Sequence, residues 1–193
     1  MKKTIFSFCW PALLFLPLAA FPQNAAPDAA GGHSFSNPAT AICAAWAGPA
    51  TDGEKMRRFL EALTLDAYVS ARHGGTGFNW RDITSLLARV ERICTAEPAR
   101  SLAEVWQERK TAWHRGSWKA NTVRCREILA AGDCNEDAFF FGIWLYAYDQ
   151  AKDGRSEATL QALPQGGGAM VWEECERTPD ARLLDVLRRM QGK

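Results

Sequence analysis

The 193-residue chain is short of histidine and carries almost no net charge, and each shortage removes a class of function. Its three histidines, His33, His73 and His114, stand at no ligand spacing, which argues against a zinc site. No two cysteines form a C-x-x-C motif, and Cys125 and Cys134 are too far apart to imitate that redox pair. Basic and acidic residues number 23 and 22 and are interleaved as on solvated helix faces, so the charge suits no nucleic acid. GGTG at Gly74 to Gly77 and GGG at Gly166 to Gly168 follow no strand, and are expected to be helix stops and loops instead of phosphate cradles. No run alternates apolar and polar residues, so no sheet is expected. Nothing points to a Ser/His/Asp arrangement. The chain is expected to be no enzyme and to need no cofactor and no metal.

What it does have begins at the N-terminus. MKKTIFSFCWPALLFLPLAA, residues 1–20, has the order of a secretory signal peptide: two lysines, an apolar stretch from Ile5 to Leu18, then small residues. Pro11 and Pro17 interrupt a stretch already shorter than the roughly 20 residues of a membrane span, against an uncleaved anchor. Cleavage is expected after Ala20, with Ala26 the second choice, and the mature chain is expected in a periplasm or outside the cell. Residues 21–38, FPQNAAPDAAGGHSFSNP, are small, polar and Pro-rich and are expected to be a flexible leader. Without Lys2 and Lys3, 21 basic residues face 22 acidic ones, a formal charge of −1.

FFFGIWLYAY, Phe139 to Tyr148, holds ten residues without a charge. It is half the length of a bilayer-spanning helix, about 20 residues, so it must be covered by protein. The cover could be another part of the chain, a second copy in a homodimer, or a client.

Five cysteines lie beyond the leader, and an oxidising compartment makes them a disulfide framework. Cys43 to Cys94 is 51 residues and Cys125 to Cys175 is 50, a near-equality that suggests these pairs and an internal repeat. Cys94, Pro98, Leu102, Glu104 and Val105 recur as Cys175, Pro179, Leu183, Asp185 and Val186, all displaced by 81 residues. Ala88 and Val90 recur as Ala169 and Val171, and Ala67-Tyr68 matches Ala147-Tyr148 at an offset of 80. Two units follow, residues 39–118 and 119–193. Cys134 has no counterpart in the first, and its acidic setting, GDCNED, disfavours the thiolate. It is expected to be inert or paired with another molecule.

Both units read as helical, so the fold class is all-α, two tandem disulfide-closed helical units. Glu54 to Arg72 places Met56, Phe59, Leu60, Leu63 and Ala67 on one stripe, stopped by Gly74-Gly75. Asn79 caps a helix with an inner face of Ile83, Leu86, Leu87, Val90 and Cys94. Ser101 with Glu104 is a capping box for Leu102 to about Trp113, and Pro179 starts the equivalent helix to Met190. Asn121 or Thr122 begins a helix through Cys125 that ends at Gly132, and Asn135 begins one that carries the aromatic decapeptide to Asp153-Gly154. That last helix is apolar all round and is expected to be covered on more than one side. Trp46, Trp80, Trp106, Trp113, Trp118, Trp144 and Trp172 are expected to fill two small cores, which need large side chains.

TVRCREIL, the apolar helix and VWEECERTPDARLLDVL, with ICAAW and RICTAEPARSLAEVW in the first unit, carry a resemblance. Each unit resembles the HdeA-type acid-stress chaperones over roughly Ile42 to Trp113 and Thr122 to Met190. The resemblance implies a periplasmic holdase that exposes apolar helices to unfolding clients in acid. It also implies family disulfides Cys43 with Cys94 and Cys125 with Cys175. The client-binding residues it implies are Phe139, Phe140, Phe141, Ile143, Trp144 and Tyr146, with Phe59, Leu60 and Leu63 in the first unit. Duplication, balanced charge and Cys134 are departures from that pattern. The alternative is a periplasmic immunity or inhibitor protein that binds one folded toxin or lytic enzyme. Peptide mapping under non-reducing conditions should recover both pairs and a free Cys134; a link from Cys134 to Cys125 or Cys175 would overturn the assignment.

Overall fold

Short polar side chains set where the helices start. Thr51 and Glu54 cap each other, Asn79 accepts from the Arg81 amide, Ser101 from Glu104, and Asn135 from Ala138. In the computed structural model, which describes residues 36–132, 135–156 and 167–192, these starts produce seven α-helices. They are α1 (Asp52–His73), α2 (Trp80–Ala96), α3 (Leu102–Arg109), α4 (Cys125–Ala131), α5 (Glu136–Lys152), α6 (Gly167–Arg177) and α7 (Leu183–Met190), with a 3-10 turn at Cys43–Trp46. The architecture is all-α. The expected signal peptide, most of the leader and Cys134 lie outside the described residues. Among the described residues no helix is long and apolar enough to cross a membrane.

Two disulfides close the two halves. Cys43 joins Cys94 and Cys125 joins Cys175, with Cα atoms 4.5 and 4.9 Å apart. Around each bridge the backbone repeats one pattern of bonds. The Cys43 amide donates to the Arg100 carbonyl and the Ala44 amide to Pro98; the Cys125 amide donates to Ala181 and the Arg126 amide to Pro179. Leu102 reaches back to Ala41 as Leu183 reaches back to Val123, and the antiparallel bridge of Ile42 with Ser101 has its equivalent in Arg124 with Arg182.

Several elements differ from the sequence expectation, each for a tertiary reason. A small antiparallel ribbon, β1 (Gly77–Phe78) with β2 (Trp118–Lys119), stands where no sheet was expected. Two-residue strands carry no readable alternation. The ribbon needs glycine: a Cβ on Gly77 would lie 2.2 Å from the Arg115 carbonyl, and one on Gly116, at φ +108°, 1.9 Å from that of Phe78. Of GGTG, Gly74 is the left-handed C-cap of α1 and Gly77 a strand residue, while Gly167 opens α6 instead of lying in a loop. Helix α3 stops at Arg109, short of Trp113, because Lys110 turns extended and enters the core. Helices α4 and α7 begin later than expected because Arg124 and Arg182 are held extended by their mutual bridge.

The core is continuous across the two halves. It runs from Cys43 and Trp46 through α1, α2 and α3 to Phe141, Trp144, Leu145, Cys175 and Val186. Phe78 on the ribbon packs with ring centroids 5.5 Å from Phe141 and 5.7 Å from Trp144, and Trp118 stacks on Phe141 at 5.4 Å. The junction between the units is therefore a packed strand.

The start of α1 titrates. Hydrogen bonds from the Thr51 amide and then its hydroxyl, 2.7 and 2.8 Å from the Glu54 carboxylate, hold that carboxyl below its usual range. A carboxyl lowered on folding lends stability that is present above its unfolded value, near pH 4, and is lost as pH falls through the lower folded one. Thr51→Ala should cost about 1 kcal/mol in urea unfolding at pH 7. Only the share of that cost carried by the lost hydroxyl donor to Glu54 should shrink below pH 4, because the substitution keeps the Thr51 amide; no cost at pH 7 would contradict the cap.

Candidate functional site

The most extensive packing in the described molecule joins α1 of the first half to α5 of the second. Sequence periodicity gives α1 a single apolar stripe, yet Glu61 to Ala67 are buried without a break. Met56 on that stripe is 56% exposed, and Phe59 and Leu60 are half-buried. The difference comes from polar residues of α1 that serve as internal acceptors. Glu61 accepts from the Trp46 indole at 2.8 Å and from Arg57 at 3.0 Å.

Asp66, 1% exposed, is the polar centre of the seam. One carboxylate oxygen accepts from the Trp106 indole at 2.9 Å and the Lys110 ammonium at 2.5 Å, and the other from the Trp144 indole at 2.8 Å. The Ser70 hydroxyl stands 3.5 Å away, one turn on. Trp106 and Lys110 come from the first half and Trp144 from the centre of the aromatic decapeptide. The Asp66 carboxylate thus joins the halves directly. A buried ion pair adds little over an apolar replacement, but removing one partner costs about 3–5 kcal/mol because the other charge is stranded.

The other end of the seam is aromatic. Phe59 meets Phe140 edge-on at 4.9 Å, Trp80 lies 6.4 Å from Phe59 and 5.9 Å from Phe140, and Phe139 lies 5.6 Å from Phe140. All four rings are half-buried. The Trp80 indole donates to Asp137 at the start of α5. Ring pairs of this kind contribute about 0.5–1.5 kcal/mol each beyond the area they bury.

The far end of α5 is fixed within its own half. Arg188 on α7 donates to the buried Asp149 at 2.7 Å, which raises the guanidinium pKa, and Gln150 donates to Gln191 at 2.8 Å. Burial pushes the Tyr148 phenol upward, against a smaller opposing pull from Arg188.

No protein-family model, curated protein or solved structure matches the chain. Among the described residues, no group of three or more His, Cys, Asp or Glu is placed to hold a metal.

The residues expected to bind a client divide in two. Leu63, Phe141, Ile143 and Trp144 are enclosed in the core, whereas Phe59, Leu60, Phe139, Phe140 and Tyr146 are half-buried. The structure gathers Phe59, Phe139 and Phe140 into one cluster and adds Trp80, which sequence reasoning had assigned to the core. Glu61, Asp66 and Lys110 were missed. Their one readable signal was the tryptophan content, since a buried indole N–H needs an acceptor.

Asp66→Asn should lower the free energy of unfolding by about 3–5 kcal/mol, because Lys110 keeps a buried charge without its counter-ion. Adding Lys110→Met should recover more than half of that loss. Equal stability of the single and double variants in urea would remove the ion pair from its central place.

Proposed function

We propose that the chain is a periplasmic, non-catalytic binding protein that acts as an acid-stress holdase of the HdeA kind, taking unfolding proteins on apolar surface from α1 and α5. The observation that carries this reading is the seam itself. The most apolar helix among the described residues is covered by the long helix α1 of the other half, and one edge of that contact is a half-exposed aromatic cluster. Two disulfides, the mark of an oxidising compartment, would keep each half compact while the seam opened.

Acid supplies the drive. Protonating 22 carboxylates and three histidines, with 21 basic residues still charged, takes the chain without its first twenty residues from −1 to +24. The halves would then repel, and ion pairs of carboxylates would be lost. The duplicated chain would use an internal seam where a single unit would need a homodimer.

The test is suppression of aggregation of a model client across pH 2 to 7, with an apolar-surface dye read in parallel. Protection and dye binding should rise together between about pH 4 and 2, where carboxylates protonate. Phe140→Asp should abolish protection with the neutral fold intact, since Phe140 is half-buried. Trp144→Asp, by contrast, should unfold the chain, because Trp144 is enclosed and faces Asp66. A chain that shows no new apolar surface and no protection at pH 2 to 3, but binds one folded partner tightly at pH 7, would be an inhibitor or immunity protein.

A further inference from the structure

The seam is closed unevenly along α5. At Trp144 the contact is made by groups out of reach of water: Trp144 and Trp106 have no exposed surface, and Asp66 has 1%. One turn nearer the start of α5 it depends on Phe59, Trp80 and Phe140, all half-buried, and on a hydrogen bond between the half-buried Trp80 and Asp137 for which water can compete. Between the two ends stands Gly142. A Cβ built there meets nothing within 4 Å, and the helix is otherwise regular, so no close approach or turn requires glycine at this position. What glycine does in a helix interior is lower the cost of leaving the helix. Phe141 is enclosed by Phe78 and Trp118 on the opposite side, and Asp149 with Arg188 holds the far end.

We propose that α5 opens from one end: the backbone from Glu136 to Gly142 leaves the helix, with Gly142 as the weak point, and Phe140 comes away from α1, while the Phe141 ring keeps its place against Phe78 and Trp118, and Trp144 with Asp66 stays as the anchor. The surface uncovered first is then Phe59, Leu60, Phe139 and Phe140, continuous along α1 with the exposed Met56, and the decapeptide from Ile143 onward stays in place. This deepens the holdase reading by naming which part of the seam would meet a client, but the motion itself can be measured without one.

Native-state hydrogen exchange on the full oxidised chain at neutral pH tests it. The amides of Phe140 to Ile143 should exchange at least about tenfold faster than those of Ala147 to Gln150, through an opening that does not unfold the molecule. Gly142→Ala should slow only the first group, by about fivefold, the equivalent of the helix preference of alanine over glycine. Phe59→Ala, a change on the other half, should speed the same amides and leave Ala147 to Gln150 unaffected. One common rate for both groups, or equal slowing of both by Gly142→Ala, would show that α5 opens only as a whole and would overturn the proposal. In acid, Gly142→Ala should also reduce client protection. If exchange follows the expected pattern and the unmodified chain protects no client at any pH, the holdase reading fails and the one-ended opening stands.

Discussion

A carboxylate taken out of water has to be surrounded by donors, and Asp66 is surrounded by donors from two other helices and the residue that follows one of them. Trp106 and Lys110 reach it from α3 and the residue just beyond, and Trp144 from α5. The desolvation cost of the carboxylate and of the Lys110 ammonium is offset only when all these groups are in place together. That requirement fixes the rotation of α1, since Asp66 must face inward, and of α5, since Trp144 must face α1. Helix α3 ends at Arg109, and Lys110, the residue just beyond, reaches Asp66 from an extended backbone.

The two disulfides organise a frame that both halves share. The same amides bond to the same carbonyls around each bridge, down to the antiparallel contact that precedes the last helix. Inside the frames the chemistry diverges. The first half buries Glu61 and Asp66 on its long helix, while the second buries aromatic rings at the equivalent level and places its carboxylate, Asp149, nearer the end, paired with Arg188. The halves are thereby complementary: the acceptor is on one and the indole on the other. Two identical faces could not form this contact.

A seam of this composition separates two kinds of resistance to opening. Where polar groups are enclosed, separation exposes stranded charge and is costly; where half-exposed rings meet, separation loses a few modest contacts. A helix that is apolar all round can on that account be firmly held at its centre and loosely held at its start. Exposure of apolar surface then need not involve loss of the fold, and the disulfides limit how far either half can unravel.

The sequence alone determined what depends on local chemistry and spacing. Cap residues at Asn79, Ser101 and Asn135 placed three helix starts, Gly74 the end of α1, and the spacing of Cys43, Cys94, Cys125 and Cys175 the two bridges. These signals lie within a few residues of the feature they specify, or in a bond that only cysteine makes. The tertiary structure decided the rest: the ribbon of Gly77–Phe78 with Trp118–Lys119, the early end of α3, and the gathering of Phe59, Trp80 and Phe140. Above all it decided the role of Asp66, which is not among the residues of the apolar stripe read from the sequence. Its acceptors' partners, Trp106, Lys110 and Trp144, lie 40, 44 and 78 residues away, and no periodicity along α1 can register donors that arrive only when the chain has folded.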